Sequence, residues 1–357
     1  MSLMHASQTA ARQASDSGRL MGWVITATLP GIVMLTWHFG WGVITNVLLA
    51  AVMGVGLETL VLRLRRRPVA TTLSDNSALV TGILLGASLP PASPWWLLLV
   101  GMTMAIVVTK QLFGGLGHNP FNPAMAGYAL LLVSFPVDMT QWAAPHGPFG
   151  AQAPGVIDTL AHVVGMTPQD AADTWTGATA LDAFRNKPEM LMASEFWASS
   201  PLPEGTLAAW YSVSLAWLAG GLLLLYKRII DWHIPVALIG SLIVAATLLY
   251  AIDPSHYGSP LFHLLGGATL FGAFFIATDP VSAATSRRGK LLYGAGIGLL
   301  IMVIRTTGAY PDAVAFAVLL MNFSVPFIDY YTQPRAYGHS RPRRGIKPKI
   351  DHDEESS

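Results

Sequence analysis

Residues 41–68 read WGVITNVLLAAVMGVGLETLVLRLRRRP. Over 42–62 the text is apolar but for a few polar residues, of which Glu58 alone is ionisable; then come Arg63, Arg65, Arg66 and Arg67. A helix crossing the roughly 30 Å hydrocarbon core of a bilayer needs about 20 mostly apolar residues, and this run has that length. The arginines end it abruptly and mark a side, because short cytoplasmic loops carry an excess of Lys and Arg. Working outward, nine further stretches are of the same kind: 20–38, 76–90, 94–110, 121–136, 206–226, 234–251, 262–278, 290–306 and 311–328. The third, fifth and eighth of the ten (76–90, 121–136 and 262–278) are short or carry proline at a boundary, so they are expected to be tilted, kinked or broken. The prediction is an all-α integral membrane protein with ten transmembrane helices.

Composition agrees. Of 357 residues, 52% are hydrophobic and 11% charged, with a mean hydropathy of +0.48. A soluble domain carries roughly 25% charged residues, so an ordinary water-soluble enzyme is excluded. Cysteine is absent. That removes disulfides, thiolate zinc sites and cysteine-ligated iron–sulfur clusters from the chemistry of this chain. The first 19 residues are polar, without an apolar core followed by a small-residue cleavage site, and are read as a cytoplasmic N-terminus.

With that terminus inside and ten alternating spans, the inner side holds Arg12, Arg19, Arg63, Arg65, Arg66, Arg67, Lys110, Lys227, Arg228, Arg287, Arg288 and Lys290. It also holds Arg335, Arg341, Arg343, Arg344, Lys347 and Lys349 of the tail, which makes 18 of the 21 basic residues. Arg185, Lys187 and Arg305 fall outside. A wrong span count would scramble this segregation, so it supports both the number ten and the direction, with both termini cytoplasmic. The basic tail is read as a solvated end attracted to anionic lipid, or as a docking segment for a cytoplasmic partner.

An offset of 190 residues places Gly82 on Gly272, Ala87 on Ala277, Pro90 on Pro280, Leu130 on Leu320 and Pro136 on Pro326, with Asn122 on Asp312. The matches lie five spans apart, so equivalent helices run in opposite directions, as in inverted-topology repeats. The expected organisation is a cytoplasmic segment 1–19, a first five-helix repeat 20–136, an outer loop 137–205, a second five-helix repeat 206–328 and a cytoplasmic tail 329–357.

The outer loop is the long segment without a span, and loops of such length are usually functional or disordered. It contains DTWTGATALDAFR from Asp173 to Arg185. On local grounds Thr176 is a candidate cap for a short helix through Ala178, Ala180, Leu181 and Phe184, with Gly177 permitting a tight entry. The string Asp173-x-x-Thr176-Gly177-Ala178-Thr179 also resembles the flavinylation motif D-x-x-[S/T]-G-A-T, whose last threonine is esterified to the phosphate of FMN. By average residue frequencies the five fixed positions should occur by chance in a chain of this length at roughly one in a thousand. In that reading Thr179 falls in the first turn of the helix, its phosphodiester facing unpaired N–H groups and the positive dipole end. The motif often has serine where Thr176 stands and proline where Ala180 stands.

Three more segments extend the resemblance over roughly 20–340: KQLFGGLGHNPFNPAMAGYALL (110–131), FFIATDPVSAAT (274–285) and AVLLMNFSVPFIDYYTQPRAYGH (317–339). All are similar to the RnfD/NqrB family, and the YYTQPRAYGH ending and short N-terminus are closer to its RnfD (RsxD) branch. The resemblance implies a ten-helix fold of two inverted repeats in a bacterial inner membrane, with the 137–205 loop periplasmic. It also implies covalent FMN on Thr179 and a second, non-covalent flavin (riboflavin or FMN) in the membrane region. Its implied partners are subunits A, B, C, E and G and a flavin transferase, besides membrane lipid; nucleic acid is not among them. Such a complex passes electrons between NADH and ferredoxin or flavodoxin, coupled to movement of Na+ or H+.

The other signals are weaker. The histidines at 38, 118, 146, 162, 233, 256 and 263 lack the i, i+4 spacing of a helical metal site, so no metal is expected. Gly114-Gly115-Leu116-Gly117 is similar to a phosphate-binding turn but has no βαβ surroundings. Gly82-xxx-Gly86 and Gly294-xxx-Gly298 read as helix-packing faces, with close approach to an isoalloxazine ring as the alternative. Glu58 is read as pairing with the nearby arginines. Lys110, Asp279, Arg305 and Asp312 are read as structural pairs or interface anchors, with Asp75 or Asp279 at an ion or flavin site as the functional alternative. Two rival functions stay open, an NqrB-like quinone-reductase subunit and a passive channel for a small solute.

Overall fold

The computed structural model describes residues 2–145, 155–166, 176–188, 191–199, 202, 205–308, 310 and 313–332, with side chains described from residue 17 onward except that of Thr176. Among the described residues seven helices are long and apolar enough to cross a membrane. They are α1 (Ser2–Phe39, apolar over Ser17–Phe39), α2 (Gly42–Leu64) and the Trp95–Leu112 helix, then four after the loop: Thr206–Tyr226, His233–Ile252, Arg287–Thr307 and Val314–Thr332. The three spans expected to be short or broken are the ones that fall below this length. Ser77–Ser88 and Pro123–Ser134 have 12 residues each, and the eighth span divides into Pro260–Leu265, Thr269–Phe271 and a π-helical turn Gly272–Ile276. Pro90–Pro91 ends the first of these, Phe135–Pro136 the second, and Gly266–Gly267 interrupts the third. Proline withholds the N–H that the next helical bond needs, and glycine makes the helical state entropically costly.

In chain order α3 is Ser77–Ser88, α4 Trp95–Leu112, α5 Pro123–Ser134, α6 Ala180–Arg185, α7 Thr206–Tyr226, α8 His233–Ile252, α9 Pro260–Leu265, α10 Arg287–Thr307 and α11 Val314–Thr332. One core runs through both halves. Ala50, Leu85, Leu97 and Leu131 are buried in the first, Leu238, Ala273, Ile297 and Val318 in the second, and Ala27 of α1 meets Gly220 of α7 between them. The outer faces are apolar too: Leu29, Val33, Leu48, Val52, Val244, Leu248, Phe323 and Phe327 are all exposed. In water this would be an oversized hydrophobic surface; in a bilayer it is the lipid face of a multi-pass membrane protein.

The two small-residue patterns are packing faces, as the spacing suggested. A Cβ on Gly82 would stand 2.7 Å from the Ala50 carbonyl oxygen of α2, and one on Gly86 2.8 Å from that of Asn46. On α10, a Cβ on Gly294 would come within 2.6 Å of the Ile234 carbonyl oxygen, and one on Gly298 within 2.3 Å of that of Leu238. Backbone-to-backbone approach of this kind associates helices where lipid removes the hydrophobic driving force.

Candidate functional site

The loop segment begins with a two-residue antiparallel bridge. β1 (Trp142–Ala143) pairs with β2 (Thr176–Gly177), Trp142 opposite Gly177 and Ala143 opposite Thr176. The bridge corrects the local reading of the helix cap. With Thr176 extended and paired, the helix cannot start there; Ala178 precedes it, and Thr179 is the cap. Thr179 has an extended ψ of 161°, its Oγ1 accepts from Asp182 N–H at 3.2 Å, and α6 follows from Ala180. An N-cap hydroxyl satisfies one of the donors that a helix start leaves free. Thr179 is half-buried, whereas Gly177 and Ala178 are exposed; Asp173 lies outside the described residues.

Ala180, Leu181 and Phe184 turn inward and seat α6 on the second half. Gly267 makes the seat: a Cβ there would stand 2.5 Å from Leu181 Cδ1. Ser214 of α7 holds the broken span open by donating to the carbonyls of Leu265 at 2.7 Å and Gly267 at 3.2 Å.

Thr179 and Asp182 thereby stand on the wall of a cavity between the halves, with about 990 Å³ of empty space including its open mouth. Its lining is mostly apolar and includes five aromatic side chains. Tyr128 and Trp142 come from the first half and the loop, and Trp210, Trp217 and Phe271 from the second. Trp142 and Trp210 meet edge-on with centroids 5.1 Å apart, Phe39 backs Trp210 at 4.9 Å, and Trp217 lies 4.4 Å from Phe271. Such walls suit a flat aromatic ligand, offering ring faces and edges while excluding water. Burial pushes the Asp182 carboxyl above the usual range, partly opposed by its hydrogen bond from Asn186 and by Arg185.

At the opposite end of α3, where Ser77 begins the helix, is a buried polar network. Glu58 does not pair with the arginines that follow it. It is fully buried on α2 and holds Lys110 Nζ at 2.7 Å and Gln111 Nε2 at 2.6 Å. The lysine also donates to Ser77 Oγ at 2.6 Å, and Ser77 donates to Asp75 Oδ1 at 2.5 Å. Lys110 and Gln111 reach one carboxylate because α4 is π-helical over Thr103–Leu112; such turns are frequent at functional sites. Of the arginines read as partners of Glu58, Arg65 instead donates to the Gln111 carbonyl, and Arg67 to that of Gly114 at 2.9 Å. Gly114, Gly115 and Gly117 have φ of +123°, +103° and +91°, so this glycine run serves a left-handed turn after α4.

Neither acid considered for a ligand site lines the aromatic cavity. Asp75 belongs to the Lys110 network, and Asp279 accepts from Ser282 Oγ at 2.6 Å. Asp312 lies outside the described residues, and Arg305 lines a second cavity behind α6. The aromatic wall escaped notice in the sequence because tryptophans are ordinary in membrane-protein text; what marks these is convergence from positions 142, 210 and 217.

Comparison with known proteins places this geometry in a family context. The chain matches the NQR2, RnfD, RnfE family over residues 4–338. It is 52% identical over 349 residues to the D subunit of the ion-translocating oxidoreductase complex of Cellvibrio japonicus, covering 96% of this chain and 97% of that one. The protein of the same description from Alcanivorax borkumensis is 51% identical, covering 97% and 99%, and that of Citrobacter koseri 48% identical, covering 91% and 95%.

Proposed function

The chain belongs to the NQR2, RnfD, RnfE family, and from that premise we propose that it is the membrane subunit of an Rnf-type ion-translocating oxidoreductase complex that carries covalent FMN on Thr179. The observation that carries the reading is the position of the motif's last threonine: Thr179 stands on the wall of an aromatic cavity between the two halves. FMN supplies the electron chemistry, and the protein supplies position and electrostatics. Trp142, Trp210, Trp217 and Phe271 receive the ring system and keep it dry, while the β1–β2 bridge and the seat of Leu181 against Gly267 hold the attachment point in place. Asp173, Thr176, Gly177 and Ala178 complete the sequence that the flavin transferase reads.

The wider assignment follows the family. The complex moves electrons between NADH and ferredoxin or flavodoxin and couples this to Na+ or H+ transport, with subunits A, B, C, E and G as partners. A second, non-covalent flavin continues the electron path through this chain. The fold is ten spans in two inverted repeats, and the order of the first four elements supports this: each half runs long, long, short or broken, then long, while the fifth is short in the first half (Pro123–Ser134) and long in the second (Val314–Thr332). The loop faces the periplasm and both termini the cytoplasm, in the inner membrane.

Ultraviolet fluorescence of the denatured band on a gel tests the reading, with the chain co-expressed with a flavin transferase. The wild-type band should fluoresce, Thr179→Ala should be dark, and Thr176→Ala should keep at least part of the signal. A dark wild-type band would leave a passive channel, which needs no acceptor threonine, as the better account. Fluorescence retained by Thr179→Ala would move the attachment point elsewhere.

A further inference from the structure

The three basic residues that break the inner-side pattern come together. Arg185 at the end of α6, Lys187 just after it, and Arg305, 120 residues on from Arg185 in α10, line one cavity with His256 and His263. We propose that this cavity is a binding site for a phosphate-bearing anion, separate from the cavity at Thr179.

The cations are held to one another through backbone. Arg185 Nη1 donates to the Arg305 carbonyl at 3.3 Å, and Arg305 Nη1 to the His263 carbonyl at 2.5 Å. Lys187 Nζ donates to the Leu191 carbonyl at 3.1 Å and lies 5.8 Å from the centroid of the Phe184 ring. Among the described residues the salt bridges are Lys110–Glu58 and Lys290–Asp231, so Arg185 and Lys187 are in neither. Among the described residues lining the cavity there is no Asp or Glu. A guanidinium has five N–H donors and an ammonium three; the bonds above use one each on Arg185 and Lys187.

An independent feature points the same way. His263 is 5% exposed, and its Nδ1 has no hydrogen-bond partner among the described residues. Gly258 keeps the space over that ring open, since a Cβ there would stand 3.1 Å from His263 Nε2. Arg185 and Lys187 keep further N–H donors beside Arg305 and the two histidines, and an anion with several oxygens can bridge such donors. Guanidinium forks match phosphate bidentately. Leu181, Phe184 and Phe262 add an apolar wall for the carbon side of a phosphoester. A lipid headgroup and a soluble phosphate share this chemistry. Leu181 alone lines both this cavity and that of Thr179, so α6 is the partition between them.

The test uses the full chain in its purified membrane complex, stripped of loosely held lipid. One arm measures binding of radiolabelled inorganic phosphate by equilibrium dialysis. The other measures retention of phosphatidylglycerol against diacylglycerol by native mass spectrometry after reconstitution. The variants are the pair Arg185→Gln/Lys187→Gln, and Gly258→Ala, which keeps every cation and narrows the space over His263. Saturable phosphate binding, or selective retention of phosphatidylglycerol, that weakens roughly tenfold in the pair and also falls in Gly258→Ala supports the site. The arm that responds identifies the source, and unchanged in-gel flavin fluorescence shows that the Thr179 site is intact. Absence of both signals in the wild type, or signals unmoved by both variants, overturns the proposal. So does phosphate binding seen only in Thr179→Ala, since the flavin's own phosphate would then fill this cavity.

Discussion

At the scale of single residues, the pairing of Glu58 with Lys110 is a costly feature of the first half. Both side chains are almost completely buried, the carboxylate meeting the ammonium at 2.7 Å and an amide at 2.6 Å. Burying two charges is expensive, and removing one partner leaves the other uncompensated, typically at about 3–5 kcal/mol. Lys110→Met should therefore destabilise the chain by about that much in detergent unfolding, whereas Glu58→Gln/Lys110→Met should recover most of the loss. A double variant as unstable as the single one would show that the pair does not act through charge. The sequence displayed both residues, but nothing local indicated that they meet, because 52 positions separate them. The cap at α6 was misread for a related reason. Thr176 and Thr179 are both good N-cap residues, and the choice between them is made by the non-local pairing of Thr176 with Ala143.

Elements were more legible than contacts. Hydropathy over about 20 residues reports a span directly, and the proline and glycine breaks marked which spans fall short, as α3, α5 and the divided eighth span do. Small-residue spacing identified faces but not their partners: Gly82 and Gly86 meet α2, whereas Gly294 and Gly298 meet α8. These contacts leave no space for a methyl group. A Cβ on Gly298 would lie 2.1 Å from Ser241 Oγ and 2.3 Å from the Leu238 carbonyl oxygen, while one on Gly240 of α8 meets nothing within 4 Å. Gly298→Ala should thus force α10 away from α8 and cost about 1–3 kcal/mol by overpacking. Gly240→Ala should be neutral or stabilising by up to about 1 kcal/mol through helix propensity. Both are read from the midpoint of denaturant unfolding in micelles, and equal effects at the two positions would refute close packing as the role of Gly298.

On the scale of the whole molecule, charge carries what local pattern cannot, an expected orientation of the chain. Under the ten-span reading the uneven spread of Lys and Arg is visible from counting, and so are its three exceptions, but not that Arg185, Lys187 and Arg305 converge on one cavity beside α6. Flavin attachment outside the cytoplasm requires that Thr179 and the arginine run Arg63–Arg67 lie on opposite sides of the bilayer. The absence of cysteine makes this directly measurable, since any introduced thiol is the only one present. Ser74 and Asn186 are both exposed polar residues, the first between the arginine run and α3 and the second directly after α6. In intact cells stripped of their outer membrane, a membrane-impermeant maleimide should label Asn186→Cys at once and Ser74→Cys only after permeabilisation. The positive-inside asymmetry sets this direction, and the reverse pattern would put Thr179 in the cytoplasm and remove the premise of periplasmic flavin attachment. Labelling of both sites from one side would instead break the expected span count between them, and with it the proposed inverted relation of the two halves.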